Sequence, residues 1–308
     1  MEIDSASLLR SLRGVAQAAN LSEAKIEPIM QRLSSLAERL TLDSWQDFFE
    51  SLALDEKDNT LHLASLRLAL AVSFLRETAR QNQPVSSDDL DQCWRMVYQA
   101  VTSRDSPAFT AARSAQGFLS VALCSLVKDG KIDELFRLHV WLPDGNRGNS
   151  DFRLHSHQPF AQSWILAGEG VDHAWEVWPV EDPAEATHAG YALAWDDGKE
   201  QNKEYKTHQS SSTVNNTGRL LKATETHSEV HSRGSTYSIP AAAFHTSEVT
   251  PDALHATLFF FDSYRGFIED AGVLGPIDKI SYTQLRDPAG ISPCELAKVV
   301  EAARSQGL

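Results

Sequence analysis

The sequence predicts an α+β protein: a helical N-terminal region, a β-rich C-terminal region and a short closing helix. Three observations predict it. Apolar residues recur at three-and-four spacing from the N-terminus to about Phe136. After about Leu138 the period shortens, and tryptophans, prolines and glycines punctuate short alternating segments. Ten of the eleven histidines lie in that second region. A chain of 308 residues accommodates one large domain or two modest ones, with expected divisions at 1–137, 138–290 and 291–308.

The helical elements follow in order. Leu8, Leu12, Val15 and Ala19 form the first stripe. Ile26, Ile29, Leu33 and Leu36 form the second, after Ser22 as N-cap. The run from Leu61 to Leu75 is apolar nearly all round, as expected of a central core helix, with Arg67 interrupting it and Arg76 closing it. Serines and acids at 86–89 start a further amphipathic helix carrying Leu90, Trp94, Val97 and Val101. A last stretch from Pro107 to Leu126 also reads as helical, with Ser106 as its cap. This region shows no catalytic constellation and is expected to do no chemistry, serving to cover the β region or to make a homodimer contact.

In the second region, LPDGNRGNSD (142–151) reads as a loop and FRLHSH, SWILAGEG, DHAWEVWPV, THAGYALAWDDG and QNKEYKTHQSSSTV read as the short segments that follow. NNTG is a hairpin turn with Gly218 at positive φ. RLLKATETHSEVHS, TYSIP and HATLFFFD complete a sandwich or small barrel, with Phe259, Phe260 and Phe261 in its core. Ser292 and Pro293 open the closing helix.

Composition excludes several classes. Apolar residues at 42% and charged residues at 23% are those of a folded chain. No stretch is long and apolar enough to span a bilayer. The start, with Glu2 and Asp4, lacks the basic end of a signal peptide, so the expected location is cytoplasmic. A net charge of −14 opposes nucleic acid and anionic membranes as partners and leaves a small molecule as the expected one. Cys93, Cys124 and Cys294 lack metal or disulfide spacing and read as buried free thiols in helical surroundings.

Two histidine segments carry the functional reading. His155 and His157 are two residues apart, which on a strand directs both imidazoles to one face. In GSTYSIPAAAFHTS, five residues separate Gly234 from Pro240 and four separate Pro240 from His245. Together the segments resemble the paired motifs of the cupin superfamily over about residues 136–270. Three positions depart from its pattern: Gln162 stands near the place of the family's Glu, Gly168 ends the strand one residue closer than usual, and Ala242 stands where it has a second Gly.

The resemblance implies a double-stranded β-helix (jelly-roll) barrel holding a divalent metal on His155, His157 and His245. Fe2+ is the first expectation, with Zn2+, Ni2+ and Cu2+ as alternatives for three imidazoles. A site without the Glu retains the full dipositive charge and favours an anionic substrate, as in three-histidine cupin dioxygenases of thiols and diketones. The implied activity is a non-haem iron dioxygenase on a small organic anion. A metal-dependent lyase or isomerase and a non-catalytic binding cupin are the alternatives.

Strand parity places Gln162, Trp164 and Leu166 on one face, and the matching cupin position faces the interior, so Gln162 and Trp164 are expected in the substrate site. Arg153, two residues before His155, is expected to share its face and either to anchor an anion or to pair with a carboxylate. Tyr191 and Tyr237 are candidate acids or bases, or core tyrosines. His227, Glu229 and His231 alternate on one strand and read either as a second metal or pocket group or as a solvated face. His173 and His188 are isolated.

Overall fold

A computed structural model of the chain describes residues 1–36, 38–55, 60–195, 205, 207, 211–286 and 289–308. Helices and antiparallel sheets are both present. The short strands β1 (Glu2–Asp4) and β2 (Arg39–Thr41) pair with one another and bracket α1 (Ser5–Ala18) and α2 (Glu23–Ser34). Three helices follow: α3 (Leu42–Asp55), α4 (Thr60–Arg80) and α5 (Ser87–Thr102). Asp4 caps α1 by accepting from the Ser7 amide at 2.7 Å, and Ser86 caps α5 by accepting from the Asp89 amide at 3.1 Å. Ser22 occupies the cap position of α2 without a side-chain bond. α4 lies at the centre, Leu68, Ala69, Leu70 and Ala71 being fully enclosed, and it continues past Arg76 to Arg80.

The expected helix from Pro107 to Leu126 does not form. Its place is taken by β3 (Ala111–Arg113) and β4 (Leu119–Lys128), and β5 (Lys131–Trp141) runs through the expected division at residue 137. β4 is apolar on both faces because one packs on α1 and the other lines a cavity. A two-sided apolar strand does not alternate, so its pattern passes for a buried helix. Cys124 accordingly sits on a strand, donating towards the Ser11 carbonyl, and Cys294 is only half-buried.

The remaining strands are β6 (Pro159–Ala167), β7 (Glu169–Pro179), β8 (His188–Trp195), β9 (Ser211–Ser232), β10 (Thr236–Ile239), β11 (Phe244–Glu248), β12 (His255–Phe267), β13 (Val273–Gly275) and β14 (Ser281–Leu285). They form two six-stranded antiparallel sheets. One has the order β10-β6-β12-β5-β4-β3; the other has the order β11-β7-β9-β8-β13, with β14 also paired to β9. Among the described residues no ladder closes the two sheets into one barrel. NNTG is not a hairpin turn: it lies within β9, where Gly218 (φ 76°) sits at an irregularity opposite β8. Most of QNKEYKTHQSSSTV lies outside the described residues; β9 begins at its serines. Gly168 (φ 73°) turns β6 into β7, where a Cβ would meet the Leu254 carbonyl oxygen at 1.8 Å. The chain ends in α6 (Pro293–Ser305), opened by a capping box between Ser292 and Glu295.

The first sheet is buried on both faces. Phe136, Leu138, Val140, Trp164, Leu258 and Phe260 share one core with the helices. The alternate residues Arg137, His139, Trp141, Thr257, Phe259 and Phe261 face the cavity. Beside that core, Glu134 accepts from Arg10 (2.7 Å), Arg76 (3.0 Å) and Arg80 (2.8 Å), while Arg80 and Arg265 also reach Asp262. Arg76, Glu134 and Asp262 are all 0% exposed. Charges so enclosed persist only when paired, so this network ties α1 and α4 to β5 and β12.

Candidate metal centre

Residues 154–157 do not form the expected regular strand. A single 3-10 turn (Ser150–Phe152) ends at Arg153 in helical geometry, and the chain then crosses as an extended strap. His155 bridges both to His245 on β11 and to Val273 on β13, the two end strands of the second sheet. Reciprocal backbone bonds lock the first bridge: the His155 amide donates to the His245 carbonyl at 3.2 Å and the His245 amide donates to the His155 carbonyl at 2.9 Å. The His157 carbonyl accepts from the Ala242 amide at 2.8 Å, and Ala242 holds φ 61° in that turn. A left-handed backbone at Ala242 is the conformation a glycine adopts freely, and glycine is the residue that the cupin motif carries there.

The strap and β11 bring the three imidazoles together. Ring centroids of His155, His157 and His245 lie 4.5–4.9 Å apart, and one nitrogen from each falls within 4.8 Å of the others. The His155 Nδ1 faces the Arg153 carbonyl oxygen at 2.8 Å, which requires Nδ1 to carry the proton and leaves Nε2 with its lone pair. The His245 Nδ1 likewise faces an Asp172 carboxylate oxygen at 2.9 Å, while its Nε2 is buried without a partner. Asp172 also accepts from the Ser247 hydroxyl at 2.9 Å and so has a fixed orientation. Burial, with the neighbouring imidazoles adding to it, pushes His155 down to about 3 and His157 well below the ordinary histidine value. With the Nδ1 of His155 and of His245 tied down and the His157 ring left without a partner on its Nδ1, the three imidazoles have nitrogens free to face one another and fit a first-row divalent ion.

These rings line a cavity of about 830 Å³. His139 is stacked between Phe118 (4.2 Å) and Phe259 (4.7 Å), and the Phe261 ring meets His157 at 4.9 Å. Tyr237 lines the cavity, its ring stacked on His231 at 4.1 Å. Burial and the nearby Asp172 charge raise its phenol, so it is a donor in place and not a ready base.

Four expected site residues lie elsewhere. Gln162 and Trp164 do share a face of β6, but it is the face towards the helices. Trp164 stacks near Phe136 and Phe260 in the main core, and Gln162 accepts from Arg265 at 2.6 Å. Ala161 and Ser163 occupy the opposite side, away from that core. Arg153 is exposed and outside the cavity, because the helical backbone at 153 breaks the alternation that would have aligned it with His155. Tyr191 packs on Phe152 away from the imidazoles, and its hydroxyl faces the carbonyls of Pro276 (2.6 Å) and Lys279 (2.7 Å). This is a structural tyrosine.

His227 and Glu229 are exposed while His231 is buried, and the three do not converge. His173 contacts Glu225 (2.9 Å) and Glu248 (3.6 Å), and His188 contacts Thr187. Sequence reasoning missed Asp172, which stands 73 residues from its histidine with no motif to mark it. It also missed Arg137, His139 and Trp141, whose period-two spacing on β5 was a usable signal.

No protein-family profile and no curated protein sequence matches this chain. Among solved structures it is similar to an oxalate decarboxylase from Lactobacillus farciminis in complex with formate, at TM-score 0.24 and 11% identity, over 53% of this chain and 33% of that one. CapF with the inhibitor 3-isopropenyl-tropolone aligns at TM-score 0.25 and 9% identity, over 69% and 45% of the respective chains. Hydroxypropylphosphonic acid epoxidase from S. wedmorenis aligns at TM-score 0.27 and 10% identity, over 71% and 96%. The match thus spans a third of the decarboxylase and nearly the whole epoxidase, and at these scores it does not establish a shared fold. No helix of the described residues is long and apolar enough to cross a membrane.

Proposed function

We propose that the protein is a three-histidine, metal-dependent cupin that oxygenates a small anionic organic molecule, with iron as its working metal. The observation that carries this reading is the convergence of His155, His157 and His245 within 4.8 Å in a cavity where none of the described lining residues is Asp or Glu. A divalent ion held by three neutral imidazoles keeps its full charge, which favours an anionic ligand. When bound, such an ion supplies Lewis acidity and adjacent coordination positions for substrate and O2.

The chain's own residues do the rest. Asp172 and the Arg153 carbonyl hold His245 and His155 in one tautomer and orientation. Phe259 and Phe261 lie against His157 and make its side of the cavity apolar. Tyr237 keeps its proton and offers a hydrogen-bond donor to an oxygen of the substrate.

Purified protein loaded with Fe2+ should take up oxygen in the presence of small carboxylates or enolates, and Zn2+-loaded protein should not. Turnover by the zinc form without oxygen uptake would overturn the oxygenase assignment in favour of Lewis-acid lyase or isomerase chemistry. Full metal retention in His245→Ala would overturn the site itself.

A further inference from the structure

The cavity is cationic in a chain that is otherwise strongly acidic. Arg113, Arg137 and Arg286 all line it and no described Asp or Glu does, against a net charge of −14. The three guanidinium groups differ in what they already touch. Arg113 is held by Asp144 at 3.0 Å and by the Gly117 carbonyl. Arg286 donates to Ser212 across the cavity wall at 3.4 Å. Arg137 projects from the cavity face of β5, two residues before His139. One Nη donates to the Tyr205 hydroxyl at 2.8 Å, its Nε is buried with no partner, and no described carboxylate pairs with it. A guanidinium presents its donors in a planar fork that matches an oxyanion, and the Nε of this one is left without a partner beside an engaged Nη. Arg137 stands opposite Phe259 in the β5–β12 ladder, and the Phe259 ring lies 5.9 Å from that of His157, which places the guanidinium on the side of the cavity that holds the imidazoles.

The surroundings define the remainder of the ligand. From Arg137 the same wall continues through His139, Phe259 and Phe261 to His157, a run of flat rings stacked or edge-on at 4.7–5.9 Å. The Nε2 of His139 is buried without a partner inside that run. Aromatic faces so arranged accept a planar apolar body, and one idle imidazole nitrogen accepts a single polar substituent.

We propose that Arg137 anchors the anionic group of the ligand, and that this ligand is a small aryl-carboxylate-type oxyanion lying along Phe259 and Phe261 with its far end at the three histidines. That it reaches a metal rests on the functional reading above; the anion anchor does not.

Calorimetric titration of the full chain, metal-free and zinc-loaded, with benzoate and with its neutral isostere benzamide tests both parts. Benzoate binds the metal-free protein more tightly than benzamide does. Arg137→Met weakens benzoate at least tenfold, corresponding to about 1.4 kcal/mol, leaves benzamide as it was and leaves zinc content unchanged. Arg137→Lys, which keeps the charge and loses the fork, weakens benzoate severalfold and carries the test if the Met variant does not fold. A merely structural Arg137 would move both probes together. Wild type that fails to prefer benzoate, or Met and Lys variants with wild-type benzoate affinity, overturns the proposal. Arg137-dependent benzoate binding in protein that never takes up zinc upholds the anchor while the metal reading falls.

Discussion

Replacing Glu134 by Gln removes the central charge of the network between the helices and β5 while keeping the side chain's shape. Glu134 is fully buried and accepts from three arginines at 2.7–3.0 Å. The variant leaves Arg76, itself fully buried, with Glu77 at 3.2 Å as its remaining ion pair. Removing one partner of a buried pair costs about 3–5 kcal/mol, because the other charge stays desolvated. An unfolding entropy of about 2.1 cal/mol/K per residue over 308 residues turns this into a fall in Tm of roughly 5–8 °C.

The pH dependence has a definite sign. Burial raises the Glu134 carboxyl, but Arg76, Arg80 and Arg10 outweigh it and hold the group below the ordinary value of 4.5. A depressed folded pKa adds stability that is complete above 4.5 and fades as the pH falls through the lower, folded value. Calorimetric melts of wild type and Glu134→Gln should therefore differ most at neutral pH and converge in acid. Metal content should not change, since Glu134 faces the helices and the imidazoles face the cavity. Equal Tm values at pH 7, or a gap that stays as wide in acid, would refute this account of the network.

Other substitutions address the site and its scaffold. Asp172→Asn should weaken metal binding about 10–100-fold in competition with a chelator, because the His245 Nδ1 proton loses its anionic acceptor. Gln162→Glu should leave metal affinity unchanged and, facing Arg265 at 2.6 Å, should not lower the Tm; tighter metal binding would put this side chain back at the site. Ala242→Gly should raise stability by about 1 kcal/mol in denaturant melts, since φ 61° strains an alanine and not a glycine. Tyr191→Phe should cost about 1–2 kcal/mol of stability with wild-type metal content and oxygen uptake, because its hydroxyl bonds only backbone carbonyls and Asn216.

What the sequence by itself determined was whatever short-range chemistry encodes. The start of α6 at Ser292 and Pro293 needs only neighbouring residues and forms as read, Glu295 completing a capping box there. The alternation in β7 and β8 and the apolar wrapping of α4 also describe local geometry. The Gly-x5-Pro-x4-His spacing places His245 one short turn after Pro240, and Gly218 takes the positive φ expected of it although no hairpin forms there. Tertiary structure alone decided which face of each strand meets what. The first sheet is covered on one face by the helices and lined on the other by the cavity, so neither face meets open solvent. Polarity then does not report which face is which: Gln162 sits on the helix side against Arg265 while Phe259 and Phe261 sit on the cavity side, and β4 carries the pattern of a buried helix. The meeting of His155 with His245 likewise depends on a backbone bridge across 90 residues of chain, and that of Asp172 with His245 on strand register. Contacts of that range are set by the packing of whole sheets and helices, and no local pattern records them.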